Sequence, residues 1–296
     1  MLACDGLGVL AERFSDVTPG AHAWAADDLA AQLPARAIDS HKGTHGRVLC
    51  IGGDLGHGGA ILLAAEGALR AGAGLVAIET RRRHVAPALA RMPEAMADAA
   101  CGTEAVRAQL DAATVCVIGP GLGQGAWSRA RFDAACAHGV PLVLDADGLN
   151  FLSASPTVLP PGSVLTPHPG EAARLLQCDT AQVQRDRLDA ARRIADAHHA
   201  VVVLKGAGTV VHAPGATACL IDAGNPGMAV GGMGDVLAGI IGALRAQGLD
   251  AFDAARTGAL LHACAGDAAA RDGERGLLPR DLLKPLRRLA NPRMRP

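Results

Sequence analysis

Residues 225–239 read NPGMAVGGMGDVLAG: five glycines surround one acid, Asp235, and the chain then runs into apolar residues at helical spacing. Glycine costs backbone entropy in regular structure, so a cluster at a helix entrance marks backbone that curls tightly or lets a ligand come close. The helix DVLAGIIGALRAQG starts here, and its unpaired N–H groups and positive dipole end suit an anion such as phosphate. A carboxylate at that point can take a proton from a hydroxyl while adjacent amides hold the phosphoryl group in transfer. The same aspartate also fits a simple helix cap. Of the 28 basic residues only Lys42, Lys205 and Lys284 are lysines, and two of them precede glycine, in SHKGTHG and VLKGAGT. A compact ammonium near phosphate explains both placements; a hairpin turn explains the second as well. His168 stands between two prolines in TPHPGE, where a solvated loop residue is the plain alternative.

Six short apolar runs position these residues: RVLCIGG (47–53), LVAIE (75–79), VCVIGPGLG (115–123), PLVLDADG (141–148), SVLTPHPGE (163–171) and VVVLKGAG (201–208). Continuous apolar character suits strands covered on both faces, as in a parallel sheet. Helical segments alternate with them at 59–72, 126–139 and 185–200. The pattern predicts a doubly wound α/β fold. In such sheets ligands bind beyond the carboxyl ends of the strands, so IGGDLGHGG, GPGLGQG, DADGLN, TPHPGE and KGAGT face one crevice. No Walker-type phosphate loop and no strand-anchored G-x-G-x-x-G occurs; the glycines of GPGLGQG miss that spacing.

Composition narrows the class further. Half of the 296 residues are hydrophobic, enough for a sizeable core, and no linker or repeat divides the chain. We expect an N-terminal extension over residues 1–20, one domain over 21–296, and a short terminal helix with a frayed basic tail. Eight cysteines never fall at C-x-x-C spacing, which points to buried thiols in a reducing cytoplasm. The start lacks a basic signal region, and no apolar stretch has membrane-spanning length. A net charge of −1, no tyrosine, four phenylalanines and two tryptophans argue against a basic, stacking groove for nucleic acid. The one basic run, RRRH at 81–84, reads as a solvated helix start or loop.

The G-x-G-D element resembles the ribokinase-like superfamily. Taken together and in order, SHKGTHGRVLCIGG, GPGLG, LDADGLN, LTPHPGE, VLKGAGTVV and GNPGMAVGGMGDVLAG resemble the NAD(P)H-hydrate dehydratase family, over about residues 22 to 290. The resemblance implies a ribokinase-like three-layer α/β/α sandwich with a mostly parallel central sheet. It implies dehydration of the S-epimer of NAD(P)H hydrate (NADHX or NADPHX) at the expense of ADP in bacteria or ATP in eukaryotes, with Mg²⁺. Hydroxide leaves poorly, so phosphorylating the ring hydroxyl and eliminating phosphate regenerates the dihydronicotinamide. Carried over by position, Asp235 is the base that contacts the hydrate hydroxyl, and Gly234 lies against nucleotide phosphate. Lys205, Gly206, Ala207, Gly208 and Thr209 match the nucleotide-binding element. His168, Ala60 and Gly121 or Gly123 match substrate-contacting positions. Asp145, Asp147 and Glu171 are candidates to meet Mg²⁺ through water, with caps and turns as the equal alternative.

The chain departs from the family at Met233, where threonine is usual, and at Val230, where a threonine or similar small residue is usual. About forty residues precede SHKG, too few for the epimerase domain of many bacterial relatives, so we expect epimerisation from another chain or spontaneous exchange. The family forms homo-oligomers, often tetramers. The competing readings are a ribokinase-like kinase for a vitamin precursor, and a nucleotide sensor that has lost turnover, for which Met233 is the only support.

Overall fold

A strand sealed on both faces needs a helix layer for each alternate side chain, and the apolar runs are resolved in this way. Val48 and Cys50 of the first run join one buried cluster, and Leu49 and Ile51 join the other. The computed structural model describes residues 19–292, so the expected extension lies, except for its last two residues, outside the described residues, as does the tail over 293–296.

In chain order the first half contains β1 (Ala21–Trp24), α1 (Leu29–Gln32), β2 (Arg47–Ile51), α2 (Gly58–Arg70), β3 (Leu75–Glu79), α3 (Arg82–Arg91), β4 (Met96–Asp98), α4 (Gly102–Asp111), β5 (Val115–Ile118) and α5 (Ala126–His138). There follow β6 (Leu142–Leu144), α6 (Ala146–Ala154), β7 (Val164–Leu165), α7 (Pro169–Leu176), α8 (Thr180–Arg185), α9 (Arg187–His198), β8 (Val201–Leu204), β9 (Thr209–His212) and β10 (Ala218–Ile221). The chain closes with α10 (Met233–Ala246), α11 (Ala251–Ala269) and α12 (Leu283–Leu289). The ten strands form one sheet in the order β1-β10-β9-β8-β7-β6-β5-β2-β3-β4. Among the described residues every pairing is parallel except those of β9 with β8 and with β10.

Residues of α2, α10, α11 and α12 bury one face, and residues of α4, α5, α6, α7 and α9 bury the other, which makes three layers. All six expected strands are present; β3 fills its run, and the other five are shorter than theirs. The run at 141–148 turns into α6 and the run at 163–171 into α7. The sheet is wider than expected by β1, β4, β9 and β10, and the long helix α11 had no counterpart in the sequence reading. The expected helix over 185–200 is α9, entered after a break at Asp186 that ends α8. No helix among the described residues is long and apolar enough to cross a membrane, and no disulfide links the described cysteines.

One packing contact fixes the helix that matters most. A Cβ on Gly239 of α10 would lie 1.9 Å from the Ala64 carbonyl oxygen of α2, and one on Gly67 would lie 2.6 Å from the Val236 carbonyl oxygen. The two helices therefore meet backbone to backbone, which holds α10 over β2, β5 and β6.

Candidate active site

The start of α10 is shaped by its glycines. Gly232 is the N-cap at φ +98°, a left-handed conformation that side chains resist, and a Cβ there would meet Leu63 and Pro279 at 2.6 and 2.9 Å. The first intrahelical bond runs from Val236 N–H to the Gly232 carbonyl at 3.2 Å. The amides of Met233, Gly234 and Asp235 precede it and have no partner within the helix, which leaves three donors at a positive dipole end. Asp235 lies in the first turn and makes no capping hydrogen bond. The geometry thus gives no support to the capping alternative.

Lys205 comes to the same place from the end of β8. Its Nζ donates to Asp145 Oδ1 at 2.7 Å and lies 3.8 Å from Glu171 Oε2. A Cβ on Gly234 would stand 3.1 Å from that ammonium, so only glycine at 234 leaves Lys205 unhindered against the helix start. Asp145 is buried at the end of β6 and also accepts from Thr166 Oγ1 at 2.8 Å. Burial alone would lower the pKa of Lys205, but Asp145, Glu171 and Asp235 outweigh it and hold the side chain as an ammonium. Asp235 feels the opposite balance. Burial, joined by the Asp145 charge and against the pull of Lys205, pushes its carboxyl up to about 7. A carboxyl that exchanges its proton near neutrality is suited to general-base work.

Lys205, Gly206, Ala207 and Gly208 form the turn of the β8–β9 hairpin, and Thr209 opens β9. The hairpin alternative and the phosphate-loop reading therefore describe one piece of backbone. Arg187 braces it, donating to the carbonyls of Leu204 at 3.0 Å and Gly208 at 3.3 Å, while Thr209 Oγ1 donates to Gly206 at 3.0 Å. Lys42, the other lysine before glycine, corrects the sequence reading. It precedes β2, at the opposite end of the strands from Asp235, so it shares no site with Lys205.

His168 is the N-cap of α7: its Nδ1 accepts from the Gly170 and Glu171 amides at 3.0 and 3.4 Å. Glu171 answers by accepting from the His168 amide at 2.8 Å. These bonds, rather than the flanking prolines alone, set the direction of a ring that remains 52% exposed. On the other side of Asp145, Gly121 and Ala60 abut, since a Cβ on Gly121 would lie 3.0 Å from that of Ala60. The Gly123 amide donates to Asp147 Oδ2 at 2.8 Å, and Asp147 accepts from Asn150 Nδ2 at 3.2 Å, so Asp147 has a local structural task. The sequence reading missed Asp54, whose amide donates to the Gly121 carbonyl at 2.6 Å and whose carboxylate pairs with Arg81 Nε at 2.6 Å. An acid inside GGDLGHGG was its only signal. Also missed was Asp267 of α11, which accepts from the Gly224 amide and Asn225 Nδ2, both at 2.9 Å, and so ties down the segment entering α10. Met233, the departure from the family pattern, buries its side chain in the core. Val230 is partly exposed.

A mostly parallel sheet in a three-layer sandwich, with a carboxyl, an ammonium and free helix amides gathered at its carboxyl edge, places the chain in the ribokinase-like α/β class. Comparison with known proteins narrows this. The chain belongs to the NAD(P)H-hydrate dehydratase family, whose profile matches residues 48–288. It is 48% identical over 261 residues to the bifunctional NAD(P)H-hydrate repair enzyme of Coxiella burnetii, covering 88% of this chain and 53% of the relative. It is 44% identical over 241 residues to the ADP-dependent (S)-NAD(P)H-hydrate dehydratase of Neisseria meningitidis, covering 79% and 80%. The crystal structure of the ADP/ATP-dependent NAD(P)H-hydrate dehydratase of Bacillus subtilis, co-crystallized with ATP/Mg²⁺, superposes with a TM-score of 0.81 at 30% identity, covering 92% and 98%. The chain spans about half the length of the bifunctional relatives it matches.

Proposed function

We propose that the protein returns (S)-NAD(P)H hydrate to NAD(P)H, using ADP as phosphoryl donor and giving AMP and phosphate. The observation that carries this reading is Asp235, a carboxyl with a pKa of about 7 set among three free amides and the Lys205 ammonium. In the reaction Asp235 takes the proton of the ring hydroxyl as its oxygen attacks the terminal phosphorus of ADP. The P–O bond to AMP breaks, and the Met233, Gly234 and Asp235 amides stabilise charge on the moving phosphoryl group. The C–O bond of the resulting ester then breaks, phosphate leaves with the bonding electron pair and the former hydroxyl oxygen, the adjacent ring carbon loses a proton, and the dihydronicotinamide double bond reforms.

The other site residues take their roles from position. Lys205 and the 206–209 turn hold the nucleotide phosphates; Ala60, Gly121 and Gly123 give the substrate a floor without bulky side chains; His168 presents Nε2 to substrate because Nδ1 is occupied by the helix cap. Among the described residues no group of three or more acids, histidines or cysteines forms a metal cage. The available carboxylates fit an ion that travels on phosphates and keeps its water, with Asp145 and Glu171 as the groups it would meet. Bound in this way, Mg²⁺ would neutralise phosphate charge.

ADP as donor is carried over from the ADP-dependent Neisseria relative, and a reducing cytoplasm and a homo-oligomeric assembly complete the reading. The test is to mix the protein with chemically hydrated NADH, Mg²⁺ and either ADP or ATP, and to follow absorbance at 340 nm. Recovery with ADP supports the assignment. No recovery with either nucleotide refutes it, and phosphorylation of a vitamin alcohol instead would identify a kinase of the same fold.

A further inference from the structure

The RRRH run, which the sequence presents as a solvated helix start or loop, is a helix start with a more specific setting. Arg81 is the N-cap of α3, Arg82 and Arg83 are its first residues, and the first turn contains no acid. Three cations at the positive end of a helix oppose its dipole, an arrangement that a bound anion relieves. These side chains line a hollow of about 320 Å³ with Thr80, Trp127 and Arg131. Two of the four guanidinium groups are committed. Arg81 pairs with Asp54 at 2.6 Å and stacks 4.3 Å from the Trp127 ring centre; Arg131 pairs with buried Glu79 at 3.0 Å and lies 4.6 Å from the same ring. Arg82 and Arg83 are exposed, and neither has a carboxylate within 4.0 Å among the described residues. Arg82 reaches the Cys101 sulfur, at 3.9 Å.

The sheet order places this hollow relative to Asp235. Along the carboxyl edge stand Lys205 after β8, Asp145 after β6, Gly121 after β5, Ala60 on the helix after β2, and Arg81 after β3. Three strand spacings separate β6 from β3, about 14 Å at ~4.8 Å each. If, as the functional reading has it, the nicotinamide ring lies at Asp235 and ADP on the Lys205 side, the free direction for the pyrophosphate and adenosine half is across Gly121 and Ala60 toward β3. Asp54 connects the two regions: its amide bonds to the Gly121 carbonyl and its carboxylate fixes Arg81, so the substrate floor and the arginine hollow are tied together.

We propose that the Arg81–Arg83 hollow receives a phosphate monoester on the distal ribose of the dinucleotide, so that NADPH hydrate is favoured over NADH hydrate. The proposal rests on the functional reading above and adds the substrate feature that this chain selects. Planar guanidinium groups bind such a dianion through paired hydrogen bonds, which lysines do not reproduce.

The test combines binding and kinetics on the full chain. By calorimetry, adenosine 2′,5′-bisphosphate is expected to bind at least about 10-fold more tightly than 5′-AMP, with the difference erased in R82A/R83A and only partly kept in R82K/R83K. Inorganic phosphate at equal concentration is expected to bind far more weakly than the bisphosphate; equal binding would make the hollow a free-phosphate site and overturn the proposal. In turnover, the ratio of kcat/KM for NADPH hydrate over NADH hydrate is expected to fall about 10-fold in R82A/R83A. Equal binding of the two adenosine compounds, or an unchanged preference in the double variant, overturns the proposal. Absence of turnover with both hydrates would refute the functional reading, and the calorimetric comparison would still decide the hollow.

Discussion

Replacing Asp235 by asparagine separates catalysis from stability in opposite directions. Asparagine keeps the shape but cannot accept the hydroxyl proton, so kcat is expected to fall about 10²-fold or more, the scale of a lost general base, while nucleotide affinity is retained. The same change is expected to stabilise the fold. The Asp235 carboxyl rises from 3.8 to about 7 on folding, chiefly through burial, so the folded chain holds this proton more tightly than the unfolded chain. Its contribution to stability is complete below about pH 4 and is lost as pH rises through about 7. At about 1.4 kcal/mol per pKa unit the full loss is about 4 kcal/mol, and water at the open edge of the carboxyl reduces it to about 2 kcal/mol. In D235N that loss is absent. Thermal unfolding of both proteins from pH 4 to 8 is expected to show a variant advantage of about 4 °C at pH 8 that closes toward pH 4. A variant no more stable than the parent at pH 8, or an advantage independent of pH, would refute the burial argument.

Other perturbations test the neighbouring groups. Lys205→Met leaves Asp145 buried without its cation, and is expected to cost about 2–3 kcal/mol in denaturant unfolding, with much of it restored by adding Asp145→Asn; additive losses would deny the coupling. Gly234→Ala places a methyl 3.1 Å from the Lys205 ammonium, and is expected to raise the KM for ADP about 10-fold with little change in melting temperature. The pH profile of kcat/KM is expected to rise with pH and level off above about 7, because Asp235 must be unprotonated to act; a flat profile from pH 5 to 8 would remove it as the base.

The central strands were legible because β2, β3, β5, β6, β7 and β8 are sealed on both faces and so had to be apolar throughout. β4 was not, since an edge strand of three residues with Met96 partly exposed has no such pattern. β1, also at an edge, alternates weakly for the same reason. α11 escaped notice because its contacts lie on α10, α12 and the sheet, which leaves almost no polar face to set a helical period. At the site, Asp235 and Lys205 stood out through adjacent glycines, and their family resemblance assigned them roles. The bond from Lys205 to Asp145 was illegible, because 60 residues separate the pair and only the strand order brings them together. The pairing of Arg81 with Asp54 and its stacking on Trp127 were hidden in the same way, so a run that looked merely solvated proved to line a hollow.

In the proposed reaction the ring hydroxyl leaves as phosphate. Hydrated NADH carrying ¹⁸O in that hydroxyl, incubated with the protein and ADP, tests it most directly when the released phosphate is examined by mass spectrometry. One ¹⁸O is expected in each inorganic phosphate formed. Label recovered in water, with unlabelled phosphate, would mean that nucleotide cleavage and dehydration are not joined through an ester, and would contradict it.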